Sequence, residues 1–345
     1  MTESLSHTSR ELLRLKSTGR IAYAEAGISN LCGGTAYTTS DQRNSEEEWR
    51  LYCASKPLLA HTAIRLFHNA GLDMDRDLGK TFGLSVVDGM SLRAILTHTA
   101  GVRSSIGTGF NPARDYRSLR QFNRSDVIDE RTAGKFYYSF GLAWCLLALV
   151  LEAAFEHPFA TLVERETLSQ FGLSRTTYSL NATNVHSYGQ IVDGEILRLR
   201  DKRDPYYGSP NPSWGASSTL SDMLHFYAEM RARELSGDWA ATQLLQSRTS
   251  PPSFDFQPRA YGLGMNTSMH LEGVGPECST DNFGHGASTA FGRSQHLVNL
   301  FWFDRRTECA YGIILDGAVP HGDQRFSRIA RALYLDGKQC FSPSP

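Results

Sequence analysis

The chain has 345 residues, of which 41% are hydrophobic and 21% charged. That is close to average globular composition and excludes a disordered, collagen-like or coiled-coil chain. Lys+Arg total 35 and Asp+Glu 36, a formal net charge of −1, so there is no electrostatic footprint for nucleic acid and no basic face for anionic membranes. Length alone fits two domains, or one with a large insert. A small-molecule enzyme or an interaction domain remains.

In chain order, the first twenty residues carry charges throughout and lack the apolar region of a signal peptide. No window approaches the roughly 18 apolar residues of a spanning helix. A cytoplasmic location is the expectation. Two strand-like runs follow, Arg20 to Gly27 and Thr35 to Thr39, with Gly33-Gly34 marking a turn between them. A helix is predicted from about Cys53 to Ala70, stopping at Gly71. Ser91 to His98 reads as a short helix ended by Thr99-Ala100-Gly101, and Leu142 to Ala154 as a longer apolar one. Ile106 to Ala133 is polar and irregular, and residues 155–215 hold Pro, Gly and Asn clusters. Ser221 to Glu234 is amphipathic, with Ser221 or Asp222 as its cap. His296 to Phe303 and Glu308 to Asp316 alternate around the turn Asp304-Arg305-Arg306-Thr307, which predicts a hairpin. A last helix is predicted over Gln324 to Leu335, ending at Gly337. Strands at both ends and helices between predict one antiparallel sheet built from both termini, with a helical region inserted.

The six cysteines are Cys32, Cys53, Cys145, Cys278, Cys309 and Cys340. None form a C-x-x-C pair, and no His cluster has zinc-ligand spacing, so neither a metal nor an organic cofactor is expected. Without a secretory signal, a disulfide framework is not expected either. Five are expected to be small buried hydrophobes. Cys53 is the exception.

Cys53 belongs to the segment Tyr52-Cys53-Ala54-Ser55-Lys56-Pro57-Leu58. Residues three apart share a helix face, so Cys53 and Lys56 are neighbours if the helix begins there. Pro57 supports that start, because proline is tolerated only in the first turn. A thiol at a helix N-terminus beside an ammonium is favoured as thiolate. The residues alone leave open a buried cysteine followed by a surface lysine. His61 and His68, seven apart on this helix, are expected to be partly exposed, and His98, Trp144, Phe283 and Trp302 to be structural.

The Cys-Ala-Ser-Lys run resembles the S-x-x-K motif of the serine β-lactamase and penicillin-binding-protein superfamily, in its class C-like, esterase and transacylase branch. Other blocks resemble that family in order. They are Leu92 to Val102, Gly134 to Glu152 with the Y-x-N position, Phe171 to Ser179, Trp214 to Met230, Tyr261 to Met265, and Phe283 to Thr289 at the K-T-G or H-x-G position. Together they cover about residues 20–335. The resemblance implies an α+β, β-lactamase/transpeptidase-like fold, an antiparallel sheet flanked by helices. It implies one unit over 1–345, with an α/β lobe of 1–70 and 255–345 and a mostly helical lobe of 71–254.

Two departures stand out. Cys53 occupies the serine position, and Ser55 cannot replace it because it points to another face. The Y-x-N motif sets Tyr138 as its tyrosine, with Tyr137 as the alternative, and Phe140 in place of the asparagine. Loss of that amide argues against ordinary β-lactam recognition. By resemblance, Cys53 attacks an acyl carbonyl while Lys56 and Tyr138 move its proton. The backbone N–H groups of Cys53 and Ser288 form the oxyanion hole. His285 supports Tyr138 or grips the substrate. Gly284, Gly286 and Gly292 are expected to allow close backbone approach.

A thioester reacts with amines more readily, relative to water, than an oxygen ester does. Cysteine therefore tilts the expectation from hydrolysis towards acyl transfer between a small-molecule donor and acceptor, in specialised metabolism. The alternatives are a cysteine-nucleophile esterase or amidase, a catalytically silent binding protein of this fold, and a cyclisation without a covalent intermediate. Pocket walls are expected from Ile106 to Ala133, Tyr178 to Trp214 and Ser250 to Asn282. The sequence carries no signature of donor, acceptor or oligomeric state.

Overall fold

The computed structural model describes residues 5–41, 47–104, 115–178, 190–192, 195–197, 210–249, 258–269, 279–291, 294–320 and 324–341. Its strands are β1 Tyr23–Asn30, β2 Thr35–Thr39, β3 Trp49–Arg50, β4 Gln190–Val192, β5 Glu195–Leu197, β6 Ser217–Ser218, β7 Pro258–Tyr261, β8 Asn266–Met269, β9 Asn282–Phe291, β10 Ser294–Asp304 and β11 Cys309–Pro320. Seven of them form one antiparallel sheet in the order β2-β1-β11-β10-β9-β8-β7. The sheet thus takes strands from both ends of the chain, as the run of predicted elements implied. The β1–β2 turn at Gly33-Gly34 is closed by Asn30, whose side-chain oxygen accepts from the N–H groups of Cys32 and Gly34 at 3.0 and 2.8 Å. In the β10–β11 turn, Asp304 accepts from the N–H of Arg306 at 2.8 Å and of Thr307 at 3.2 Å.

Each face of the sheet is covered. On one, Leu12 and Leu15 of the helix Ser6–Ser17 and Ile329 and Leu333 of Gln324–Phe341 bury Ile28, Ile313 and Trp302. On the other, Leu220, Leu224 and Tyr227 of the helix Leu220–Leu235 join a larger core with Phe301 and Ile314. That core continues into Leu142–Phe155, whose residues Leu142 to Leu151 are all buried. Burial of this stretch on every side explains its lack of amphipathic periodicity. Among the described residues, no single helix is long and apolar enough to cross a membrane.

Several local expectations need correction. The charged N-terminal segment forms a helix, Ser6–Ser17, that its sequence does not predict. Its N-terminal N–H groups, at His7 and Thr8, are satisfied by Asp336 at 3.1 and 2.8 Å, from the far end of the chain. Such a distant cap leaves no local signal. β1 begins at Tyr23, three residues later than Arg20, and runs on to Asn30. The helix Leu220–Leu235 is capped by Thr219, whose hydroxyl accepts from the N–H of Asp222, and not by Ser221 or Asp222. The last helix runs through Gly337 to Phe341. Gly337 is there for space: a Cβ would lie 2.4 Å from the Tyr311 hydroxyl. Cys32 is exposed, whereas Cys145 and Cys309 are buried. Cys278 and the side chain of Cys340 lie outside the described residues. His61 is fully buried, with Nδ1 at 2.9 Å from the Thr167 hydroxyl, while His68 is exposed and stacks on Trp239.

One buried carboxyl makes stability depend on pH. Glu25, inside β1, accepts at Oε1 from the Tyr23 hydroxyl at 2.8 Å and from Trp49 Nε1–H at 3.1 Å. Oε2 has no partner among the described residues. Burial pushes this carboxyl up to about 7 from 4.5. Between those values the unfolded chain has released the proton and the folded chain keeps it. Stability should therefore fall as pH rises through that window, by up to about 3 kcal/mol. Glu25→Gln should flatten this part of the curve in denaturant titrations. An unchanged slope in the variant would refute the assignment.

Candidate active site

The approach to Cys53 is held on both sides. β3 pairs with β6, Trp49 opposite Ser218 and Arg50 opposite Ser217. The Leu51 N–H then donates to Ala216 O at 2.9 Å, and Asn299 Nδ2 donates to Leu51 O at 3.2 Å. Next, Tyr52 takes φ +48°, a left-handed conformation that a bulky side chain adopts only under constraint. This bend ends the strand and opens a 3₁₀ turn, Tyr52–Ser55, which leads into the helix Lys56–Asn69 with Pro57 in its first turn. Cys53 thus lies in the turn just before the helix.

Cys53 and Lys56 meet. Cys53 is buried, and its carbonyl accepts the Lys56 backbone N–H. Cys53 acts electrostatically on the Lys56 ammonium. Lys56 is 0% exposed, not the surface lysine that the segment alone allowed. Its Nζ also donates to Ser213 O at 3.3 Å and sits 5.4 Å from the ring centre of Tyr138 and 5.8 Å from that of Trp144. Among the described residues, no carboxylate pairs with it. Burial therefore lowers its proton affinity, with Cys53 acting in the opposite sense. Ser55 is occupied elsewhere: its hydroxyl accepts from the Ala216 N–H and its carbonyl from the Tyr178 hydroxyl.

Of the two motif tyrosines, Tyr138 reaches this group. Its hydroxyl lies 3.5 Å from His285 Nε2, and Lys56 Nζ sits 5.4 Å from its ring centre. Tyr137 is 40% exposed and pairs its hydroxyl with Ser104 at 2.9 Å. Burial, and then the neighbouring Cys53, raise Tyr138 well above the ordinary phenol range. His285 comes from β9, where Gly284 lets the strand approach β10; a Cβ there would sit 2.3 Å from Phe301 O. His285 Nδ1–H donates to Gly286 O at 2.7 Å, which leaves Nε2 as the acceptor for the Tyr138 hydroxyl. Burial and the charge of Lys56 bring this imidazole down to about 3, so it is neutral near pH 7.

These states divide the possible roles. A lysine made less basic can take a thiol proton. A phenol that keeps its proton can donate one. A neutral imidazole can orient the phenol but cannot supply a proton.

Three supports surround this group, the first of them His98, which the sequence marks as structural; the other two carry no such mark. His98 packs its ring 4.3 Å from that of Tyr138 and accepts the Ser139 N–H at Nδ1, while its carbonyl accepts the Tyr137 N–H. It therefore holds the segment on both sides of Tyr138, at a backbone φ of +56°. Tyr261 closes the back of the same aromatic group, 5.3 Å from His98 and 6.5 Å from Tyr138. The third is the Ser213 carbonyl, a main-chain group that no residue pattern announces. Ser288 lies in β9 opposite Leu297, on the strand that carries His285; its side chain is outside the described ones. Parts of 106–133, 178–214 and 250–282, and the whole of Gly292, lie outside the described residues as well.

The Beta-lactamase family model matches residues 17–335. No curated protein matches the chain significantly. Solved structures do. A D-stereospecific amidohydrolase from Streptomyces sp. superposes with a TM-score of 0.70 at 16% identity, over 96% of this chain and 98% of that one. EstCE1, a hydrolase with promiscuous acyltransferase activity, gives 0.71 at 17% identity, over 95% and 98%. The octameric penicillin-binding protein homologue from Pyrococcus abyssi gives 0.70 at 14% identity, over 97% and 79%. At such identities the likeness is one of fold.

Proposed function

The chain belongs to the β-lactamase family, and from that membership we propose that it is an acyltransferase working through a covalent acyl-Cys53 intermediate. The observation that carries the reading is a fully buried Lys56, three residues after Cys53, with no carboxylate partner among the described residues. Burying a lysine without a carboxylate partner destabilises a fold, and a protein kept only for binding has no use for it.

In the proposed reaction, the Cys53 thiol gives its proton to Lys56 Nζ as sulfur attacks the donor carbonyl. The S–C bond forms and the carbonyl π pair moves onto oxygen, towards the backbone N–H groups of Cys53 and Ser288. The bond to the leaving group then breaks. The leaving group takes the Tyr138 phenolic proton, which Lys56 replaces. An incoming amine or alcohol acceptor runs the sequence in reverse: it gives its proton to Lys56, bonds to the acyl carbon and releases the Cys53 sulfur, which is reprotonated. His285 keeps the Tyr138 hydroxyl aimed.

The choice of transfer over hydrolysis rests on the thioester. EstCE1 is described as a hydrolase with promiscuous acyltransferase activity, and this chain differs from the family's S-x-x-K pattern in the sulfur. The test is product partition. Acylated enzyme offered a primary amine in millimolar amounts should yield mainly amide, with the free acid the minor product. Free acid as the main product at every amine concentration would make the enzyme a cysteine hydrolase.

A further inference from the structure

The chain around Tyr138 carries aromatic side chains at alternate positions. Phe136, Tyr138 and Phe140 fall on one side, with buried Ser139 between the last two. Their contacts form a continuous wall. Phe136 packs edge-on against Tyr261 and His98, with ring centres 5.4 and 5.8 Å apart. Phe140 packs edge-on against Tyr138 at 5.2 Å. Exposure increases outward, from the partly buried Phe136 and Tyr138 to Phe140 at 45%.

An isolated exposed phenylalanine needs no explanation. Phe140 is not isolated. Of the exposed large apolar side chains among the described residues, it is the one in ring contact with a candidate site residue. The other large apolar side chains so exposed have different settings. Tyr37 bonds to Ser221, Tyr137 to Ser104 and Trp239 stacks on His68, while Leu13 and Leu235 lie on the helices Ser6–Ser17 and Leu220–Leu235. The three side chains of the wall contain one polar atom, the Tyr138 hydroxyl, which already faces His285. They offer nothing to bind a peptide-like amide.

We infer that the Tyr138–Phe140 wall seats the acyl group of the donor, and that this group is apolar, aliphatic or aromatic, and carries no amide next to the reacting carbonyl. The inference rests on the acyl-Cys53 reading and adds a substrate class to it. Sulfur attack at Cys53 fixes the carbonyl beside Tyr138, so the rest of the acyl group has the aromatic edge to run along on its way to solvent. A chain lying on a half-exposed wall gains about twofold per methylene, less than in a closed pocket.

The experiment measures the rate of Cys53 acylation by intact-protein mass spectrometry. The donors are N-acetylcysteamine thioesters of acetate, hexanoate and N-acetylglycine, offered to the wild type and to Phe140→Asn. In the wild type, hexanoyl should exceed acetyl by about 16-fold across its four added methylenes, and N-acetylglycyl should be slowest for its size. In Phe140→Asn the hexanoyl-to-acetyl ratio should fall below about 3, and N-acetylglycyl should gain on hexanoyl. Phe140 is exposed enough for the variant to fold, and its thermal midpoint checks this. Equal acetyl and hexanoyl rates in the wild type, or an unchanged ratio in the variant, would overturn the subsite and leave the acyl-enzyme reading standing. No adduct from any donor would overturn both.

Discussion

Lys56→Met is expected to slow acylation of Cys53 by about 10²–10³-fold at neutral pH, within the range of a lost general base. Methionine fills a similar volume without the amine, so the variant isolates the proton transfer. It should not unfold the protein. The wild-type amine is buried with Ser213 O at 3.3 Å and an aromatic surround, and an apolar side chain costs less to bury there. The thermal midpoint should hold or rise. The pH profile gives the sharper check. In the wild type, burial lowers the Lys56 proton affinity, so the reactive form is reached below the ordinary lysine range. In Lys56→Met, activity should climb with pH, as hydroxide takes over the proton that the missing amine would accept. The deficit should therefore shrink with increasing pH. A variant as fast as the wild type at neutral pH would remove Lys56 from the chemistry.

Much of this arrangement is local, and what is local is legible. The Cys53–Lys56 pairing follows from a three-residue spacing, and Pro57 marks the helix start within a turn of where it lies. The antiparallel sheet is readable because β1, β2, β10 and β11 keep runs of strand-forming residues around short turns. What depends on distant contacts is not readable. Tyr137 and Tyr138 are adjacent and chemically equal; only the packing of His98 and His285 selects one of them. His61 is misjudged as part-exposed because its helix is covered from a second side by Thr167 and Phe171, far along the chain. Gly337 has the residue type of a helix stop, yet its role is set by the Tyr311 hydroxyl. The strain at Tyr52 leaves no mark on sequence at all, since tyrosine there would ordinarily be read as strand.

The second large effect concerns the nucleophile itself. Cys53→Ala should abolish acyl adducts from every donor while the fold persists, because an alanine before the helix loses little packing. Cys53→Ser is the more informative change. It restores the family's hydroxyl beside Lys56, but a hydroxyl is far less ionised than a thiol and depends more on its base. Acylation should slow by at least about tenfold. The oxygen ester formed is also less selective for amines. Partition of the acyl group should therefore move from amide towards free acid. If the serine variant partitions as the wild type does, the sulfur is not what sets the outcome, and the case for transfer over hydrolysis fails.

The most direct measurement is intact-protein mass spectrometry after brief exposure to hexanoyl N-acetylcysteamine thioester, followed by peptide mapping. The expected result is one hexanoyl group per chain, located on the peptide containing Cys53, absent from Cys53→Ala and discharged by a primary amine faster than by water. Turnover of the thioester by Cys53→Ala at the wild-type rate, or an adduct that maps to another residue, would contradict it.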